Sequence, residues 1–369
     1  MRAVAYTRSL PITDPASLID LELPEPSPPE GRDLLVRVRA VSVNPVDTKV
    51  RRRNDPQGSP EVLGWDAAGT VVAVGPDARL FHPGDEVFYA GAINRPGCNA
   101  ELHLVDERIV GPKPSCLSFE EAAALPLTSL TAYELMFHRM GIPRDPTSRG
   151  TILIVGAGGG VGSIATQLAR AMTGLTVIGT ASRPKSRDWV RVMGAHHVVD
   201  HSGDLVAQVR ALAPGGVDGV LSLTATAQHF PALVEVMAPQ ARLGLIDDPD
   251  GPLDITLLKR KSLSLHWEFM FTRSLYETHD IERQHRVLRS IATLVEAGRL
   301  RSTLTRCLGP LEAATLRQAH EMLESGRTVG KLVLTVGGLP PAPGGGGAPP
   351  PPACFKKIGL LWGGPNRGG

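Results

Sequence analysis

The sequence predicts an α/β protein with two kinds of sheet: a β-rich, barrel-like part and a doubly wound parallel sheet. Three observations carry this. The first third is short apolar or alternating stretches punctuated by Pro and Gly. From residue 150 short apolar runs alternate with helical stretches. Where that alternation begins, a glycine-rich turn joins strand to helix. In the first third, Leu34–Val41 mixes alternation with an apolar run, Ala67–Val74 is small and β-branched, and Gly84-Asp85 opens a turn into a strand. Such spacing suits a compact barrel-like unit. A helix is expected from about Phe119 to Met140, with Ser118 and Glu121 as a capping box. Strands are then expected at Thr151–Val155, Leu175–Thr180, His197–Val199, Val217–Leu223 and Arg242–Ile246, with helices between them. Ser262–Trp267 alternates like an edge strand that can pair with its twin. A helix from about Ile281 to Ala297 and a strand at Lys331–Val336 close the ordered part. Residues 337–353 hold six Gly and seven Pro and are expected to be disordered, and no role is assigned to the segment Cys354–Gly369.

Composition narrows the function classes. The chain has 369 residues, 42% of them hydrophobic, enough for a large core. Lys and Arg number 39 against 37 Asp and Glu, so the charge of +2 gives no global attraction to nucleic acid or an anionic membrane. No run of 18 apolar residues exists to span a bilayer, and Met1–Tyr6 is too short an apolar run for a signal peptide. Four scattered cysteines (Cys98, Cys116, Cys307 and Cys354) show no CxxC spacing. A cytoplasmic, reducing setting is expected.

The chemistry centres on Gly156-Ala157-Gly158-Gly159-Gly160-Val161-Gly162, which follows a strand and opens a helix. That context suits a dinucleotide: glycines admit the pyrophosphate close to the backbone, and the helix N-terminus offers free N–H groups and a positive dipole end. The best register is Ala157-x-Gly159-x-x-Gly162, with Ala at the first glycine position. A cofactor lacking the 2′-phosphate usually meets an acidic residue about 20 residues on. Here the place reads Thr180-Ala181-Ser182-Arg183-Pro184-Lys185-Ser186-Arg187. Ser182, Arg183 and one of Lys185 or Arg187 can hold a 2′-phosphate, so the reading is NADPH over NADH.

These residues, together with Ser42–Arg51, Leu63-Gly64-Trp65-Asp66-Ala67-Ala68-Gly69, Leu130-Thr131-Ala132-Tyr133 and Val329-Gly330-Lys331-Leu332, resemble the medium-chain dehydrogenase/reductase family, in its quinone oxidoreductase branch. The resemblance covers roughly residues 1–336. It implies a GroES-like catalytic domain split around a Rossmann domain: 1–124 and 280–336 catalytic, 125–279 cofactor-binding, and 337–369 a tail. It also implies a cleft between the two domains. Zinc-dependent members carry Cys where this chain has Asn44, His-Glu where it has Trp65-Asp66, and a third Cys or His near Leu127. None of Asn44, Trp65 and Leu127 is a usual zinc ligand, so no zinc is expected. The structural zinc's four closely spaced cysteines are missing too, since only Cys98 and Cys116 lie between Asp85 and Glu120. His196, His197 and His201 cluster beside an expected strand, where a surface or core role outweighs metal binding.

The resemblance also supplies roles. Asn44 is expected on the nicotinamide-ribose side or, alternatively, as the cap of the turn at Pro45. Asp47 is expected to hold that loop through backbone hydrogen bonds. Thr131 is expected at the start of the linking helix, near the nicotinamide or as an ordinary helix-terminus cap, and Lys331 near the pyrophosphate or as a solvated strand residue. Trp65 and the aromatic loop Trp267–Phe271 could line an acceptor pocket, although the loop equally suits dimer or interdomain core. The implied activity is NADPH-dependent, zinc-independent hydride transfer to a small-molecule quinone or α,β-unsaturated carbonyl, by a homodimer with no nucleic-acid or membrane partner. Two alternatives stay open: a zinc-type alcohol dehydrogenase with unusual ligands, and an NADPH-binding sensor without turnover.

Overall fold

The computed structural model describes residues 1–337. The expectations for the rest of the Pro/Gly-rich stretch and for the segment 354–369 lie outside the described residues.

The first part runs β1 (Arg2–Tyr6), β2 (Ile19–Glu22), β3 (Asp33–Ser42), α1 (Pro45–Arg53), β4 (Glu61–Val62), β5 (Ala67–Val74), β6 (Glu86–Tyr89), β7 (Leu102–Asp106) and β8 (Val110–Pro112). Then come α2 (Phe119–Ala123) and α3 (Pro126–Tyr133). The second part is β9 (Thr151–Val155), α4 (Gly160–Met172), β10 (Thr176–Thr180), α5 (Pro184–Val192), β11 (His197–Val199), α6 (Leu205–Leu212), β12 (Val217–Ser222), α7 (Thr226–Val236), β13 (Met237–Leu245) and β14 (Ser264–Trp267). The chain then returns through α8 (Thr272–Leu275), α9 (Arg283–Glu296), β15 (Leu304–Pro310), α10 (Ala313–Glu324) and β16 (Lys331–Thr335).

The parallel sheet has the order β11-β10-β9-β12-β13-β14. Its inner strands are apolar along nearly their whole length because helices cover both faces, and β9 and β10 are each buried over four of five residues. Strand order reverses between β9 and β12, which is where α/β sheets place ligands, at the carboxyl ends. β14 is the edge strand, as its alternation predicted.

The other large sheet joins residues far apart in sequence. In the order β15-β16-β3-β5-β6-β8, β16 pairs antiparallel with β3 through Val333–Ser42 and Leu334–Val41. The C-terminal strand therefore completes the sheet that the N-terminal third begins, and Lys331 arrives beside Asn44. α9 packs on β8, where the His285 ring bonds the Val110 carbonyl at 2.7 Å.

The helix expected over 119–140 is three pieces. Ser118 and Glu121 do form the capping box that opens α2. Pro126 then starts α3 anew, because its ring has no N–H for the preceding turn to use. Glu134–Arg139 is wound as a π-helix, and Met140 N–H donates to the Leu135 carbonyl at 2.9 Å.

Leu288 lies on α9 with none of its surface exposed. Leu288→Ala should lower unfolding free energy by about 2–5 kcal/mol, through lost transfer energy and the cavity left behind. Urea titration followed by circular dichroism reads this, and a shift under 1 kcal/mol would contradict the packing described.

Candidate active site

The glycine turn lies at the carboxyl end of β9, beside the strand-order reversal. No side chain caps α4, whose N-cap is Gly159, so its first N–H groups remain for a ligand. A Cβ on Gly162 would sit 2.4 Å from the Gly156 carbonyl oxygen, so only glycine allows the tight entry into α4. Gly156 N–H donates to Thr180 Oγ1 at 3.1 Å, which ties the turn to the end of β10, just before Ser182 and Arg183. Arg183 and Lys185 are exposed and Ser182 is half-buried. Lys185 has no ion-pair partner among the described residues, whereas Arg187 lies 3.8 Å from Asp200. Of the two alternatives for the second cation, Lys185 is the uncommitted one.

The turn is also bonded to the far end of the chain. Gly330 N–H donates to the Gly158 carbonyl at 2.9 Å. A Cβ on Gly160 would lie 2.9 Å from Lys331 Cδ, so the lysine's stem runs directly beneath the turn. Its ammonium points the other way. Lys331 Nζ donates to the Val43 carbonyl at 2.8 Å and to Asn44 Oδ1, and pairs with Asp66 Oδ2 at 3.0 Å. Sequence reasoning put this cation at the pyrophosphate or in solvent; its hydrocarbon reaches the turn, only 3% of the residue is exposed, and its charge is committed to Asp66 and Asn44.

Asp66 is the centre of this cluster and has no exposed surface. It accepts from Asn44 Nδ2 at 2.8 Å, from Leu127 N–H at 2.8 Å and from Lys331. Leu127 stands in the first turn of α3, so the carboxylate faces a helix N-terminus. Burial pushes the Asp66 carboxyl up, and Lys331, Leu127 N–H and Asn44 oppose that push. The Asn44 amide is occupied at both ends and only 1% of Asn44 is exposed. Asp47 holds the start of α1 by accepting from Asn44 N–H at 2.6 Å, the loop-holding contact the sequence suggested.

Thr131 stands in the body of α3 rather than at its start, and its hydroxyl donates to the Leu127 carbonyl at 2.8 Å. Trp65 is 3% exposed; its indole N–H donates to the Ala92 carbonyl at 3.2 Å. Trp65 meets Phe271 edge to face at 6.1 Å, and Phe271 meets Phe269 at 5.4 Å. The structure thus brings Trp65 and the aromatic loop into one wall. Met270 and Phe271 are buried, while Phe269 and Trp267 are about half exposed. The Asp66 hub as a whole escaped sequence reasoning. The one available signal was an acidic residue, Asp66, kept beside a Trp that takes the place of a metal ligand.

Residues 30–119 match the alcohol dehydrogenase GroES-like domain family, and residues 193–334 match the zinc-binding dehydrogenase family. A zinc-type alcohol dehydrogenase-like protein of Staphylococcus aureus is 43% identical over 310 residues, 84% of this chain and 92% of that protein. The chain belongs to the medium-chain dehydrogenase/reductase superfamily. A quinone oxidoreductase of Pseudomonas aeruginosa is 32% identical over 315 residues, 84% of this chain and 93% of that protein. The crystal structure of a Rhizobium etli protein, described as a zinc-dependent alcohol dehydrogenase, is 56% identical with a TM-score of 0.88; the match covers 92% of this chain and 99% of that one. This chain is therefore an oxidoreductase of the medium-chain dehydrogenase/reductase type.

The zinc in those names does not fit the residues here. Asn44 is engaged at both ends of its amide, Trp65 offers no metal donor, and Leu127 is aliphatic. The neighbouring ammonium of Lys331 already supplies the positive charge that Asp66 faces. Among the described residues no three His, Cys, Asp or Glu side chains come together as a metal site. His196 instead accepts from Val177 N–H at 2.8 Å, and the His201 and His229 rings lie 6.0 Å apart.

Two outcomes test this geometry. Lys331→Met leaves Asp66 buried without its cation and should cost about 3–5 kcal/mol of stability, much of it regained in the Asp66→Asn, Lys331→Met double variant. Urea unfolding of the four proteins measures the coupling, and additive losses would contradict it. Burial also raises Asp47 to about 7. An unfolded Asp releases its proton near pH 3.9, so from about pH 4 to 7 the native state holds a proton that the unfolded state has lost. This group's contribution to stability therefore falls as pH rises through that window and is flat above it. Thermal melts should show a smaller loss between pH 5 and 7.5 in Asp47→Asn than in the wild type; equal losses would contradict the assignment.

Proposed function

We propose that the protein is an NADPH-dependent reductase that delivers hydride to a quinone or an α,β-unsaturated carbonyl without a metal. One observation carries the reading. Asn44, Trp65 and Leu127 stand where zinc-dependent relatives need ligands, and the Lys331 that pairs with the neighbouring Asp66 runs its stem against a turn shaped for a dinucleotide. With no metal to acidify an alcohol, reduction of an acceptor that is already electrophilic is the reaction left to this site. Bound NADPH supplies the hydride from C4 of its nicotinamide.

The chain's own residues bind, align and shield. Gly156, Ala157, Gly158, Gly159, Gly160, Val161 and Gly162 would hold the pyrophosphate against the start of α4. Ser182, Arg183 and Lys185 would hold the 2′-phosphate, with Arg187 behind them. Asn44 and Thr131 would shape the nicotinamide end. Phe269, half exposed in front of the buried Phe271 and Trp65, offers an apolar face against which a flat acceptor can lie. The reduced acceptor takes its proton from water. The similarity to a quinone oxidoreductase supports the acceptor class.

The open edge of β14, with Trp267 51% exposed, supports pairing with a second copy of the chain. No helix among the described residues is long and apolar enough to cross a membrane.

Following NADPH absorbance against quinones, enones and simple aldehydes tests the function. Turnover of quinones or enones that resists a chelator is the expected result; turnover confined to aldehydes or alcohols and abolished by the chelator would overturn it. Arg183→Ala with Lys185→Ala should weaken NADPH binding by about 10- to 100-fold, the loss of a charged hydrogen bond or two, and leave NADH binding unchanged. Equal weakening for both cofactors, by fluorescence titration, would remove the phosphate clamp.

A further inference from the structure

A second buried charge cluster lies behind the aromatic wall. Arg273, on α8 and 3% exposed, reaches two carboxylates. Its Nη1 bonds Glu134 Oε2, and its Nε and Nη2 bond Asp280 Oδ2 at 3.2 and 3.1 Å. Glu134 begins the π-helical turn that continues α3, the helix of Thr131, and is fully buried. From the same turn Arg139 bonds Glu268 Oε2 at 2.7 Å. Gln284 on α9 donates to the Met270 carbonyl at 2.6 Å.

The pattern has a consequence for the wall. Trp267–Phe271 contains no regular structure after β14, and its two outer aromatic rings are half exposed. Met270 and Phe271 are packed into the core, so it is the outer rings that apolar packing alone leaves loosely placed. What fixes the segment is polar and comes from outside it: Glu268 is held at its start, the Met270 carbonyl in its middle, and Arg273 just after its end. Arg139 holds Glu268 from α3's continuation, Gln284 holds the Met270 carbonyl from α9 and also reaches Glu134 Oε1 at 3.5 Å, and Arg273 joins α8 both to Glu134 and to Asp280 in the segment before α9. A buried guanidinium with carboxylates on two sides is strongly oriented, since rotating it gives up charge-assisted hydrogen bonds to both Glu134 and Asp280.

We infer that Arg273 is a positioning residue for the acceptor: through its clamp on Glu134 and Asp280 it sets Phe269 and Phe271 against Trp65. This rests on the proposed reading of that wall as the acceptor's seat. Arg273 touches neither acceptor nor cofactor, so its loss should appear in acceptor KM and not in cofactor binding.

The test compares wild type, Arg273→Met, Arg273→Lys and Glu134→Gln, with 9,10-phenanthrenequinone as the flat acceptor and 1,4-benzoquinone as the small one. Arg273→Met should raise KM for the flat quinone about tenfold or more with kcat and NADPH affinity within about twofold, and the small quinone should suffer less. Arg273→Lys should recover part of the loss. Glu134→Gln, which keeps shape and a weaker bond, should fall between, and it stands in should Arg273→Met fail to fold. Brief chymotrypsin digestion gives a readout independent of turnover: cleavage confined to Trp267–Tyr276 should speed up in Arg273→Met. An unchanged KM with unchanged cleavage overturns the inference, as does an equal loss of acceptor and NADPH binding. A wild type that reduces no quinone, with the loop still loosened in Arg273→Met, overturns the function proposed for the wall and leaves the clamp standing.

Discussion

A carboxylate sealed from water, Asp66, is the constraint on which the rest of the site depends. An ionised carboxylate in the interior is costly unless its lone pairs are met by donors, and here three donors come from three separate places in the chain. Asn44 stands at the start of α1, Leu127 in the first turn of α3, and Lys331 at the first residue of β16. Each of these elements is thereby held to a common point. Because the Lys331 stem also lies beneath the glycine turn, that point is anchored to the parallel sheet as well. The Lys331–Asp66 pair ties β16 to the residue before β5 within one sheet, and the backbone hydrogen bond from Gly330 to Gly158 carries that strand's start to the glycine turn of the parallel sheet.

This arrangement explains why substitution of the metal-ligand positions need not disorder the cleft. A metal would bring positive charge and fix its ligands. The ammonium of Lys331 brings charge to the same neighbourhood and fixes Asn44 and Asp66 by hydrogen bonds. What it does not bring is a vacant coordination position for an alcohol oxygen. Under the proposed function the chemistry shifts toward acceptors that need no such activation, with apolar contact from Phe269 and the rings behind it as the means of placing them. Two buried charge clusters thus stand in the molecule: one gathers α1, α3 and β16 around Asp66, and the other, in the inference drawn above, holds the aromatic loop.

Much of this was legible in the residues. The parallel sheet followed from repeated apolar runs and helical stretches, because strands buried on both faces have no polar side to disguise them. The glycine turn followed from its place between Val155 and α4. The helix over 119–140 was misread as continuous, since Leu125-Pro126 breaks it while leaving its apolar character unchanged, and nothing in the residue pattern marks a π-helical turn at Glu134. The direction of the Lys331 ammonium was not readable, because it depends on β16 pairing with β3 nearly 300 residues away in sequence. The Glu134–Arg273 clamp was invisible for the same reason: charges that look solvated one at a time become a buried network only when distant segments meet.

The most direct measurement follows the hydride itself. The protein, stripped of exchangeable metal, is given NADPH carrying deuterium at the transferred position of C4 and an α,β-unsaturated ketone, and the product is read by mass spectrometry. The account predicts one deuterium bonded to the β-carbon of the saturated ketone, formed at an undiminished rate. Unlabelled product, or labelled product that forms only after zinc is restored, would contradict it.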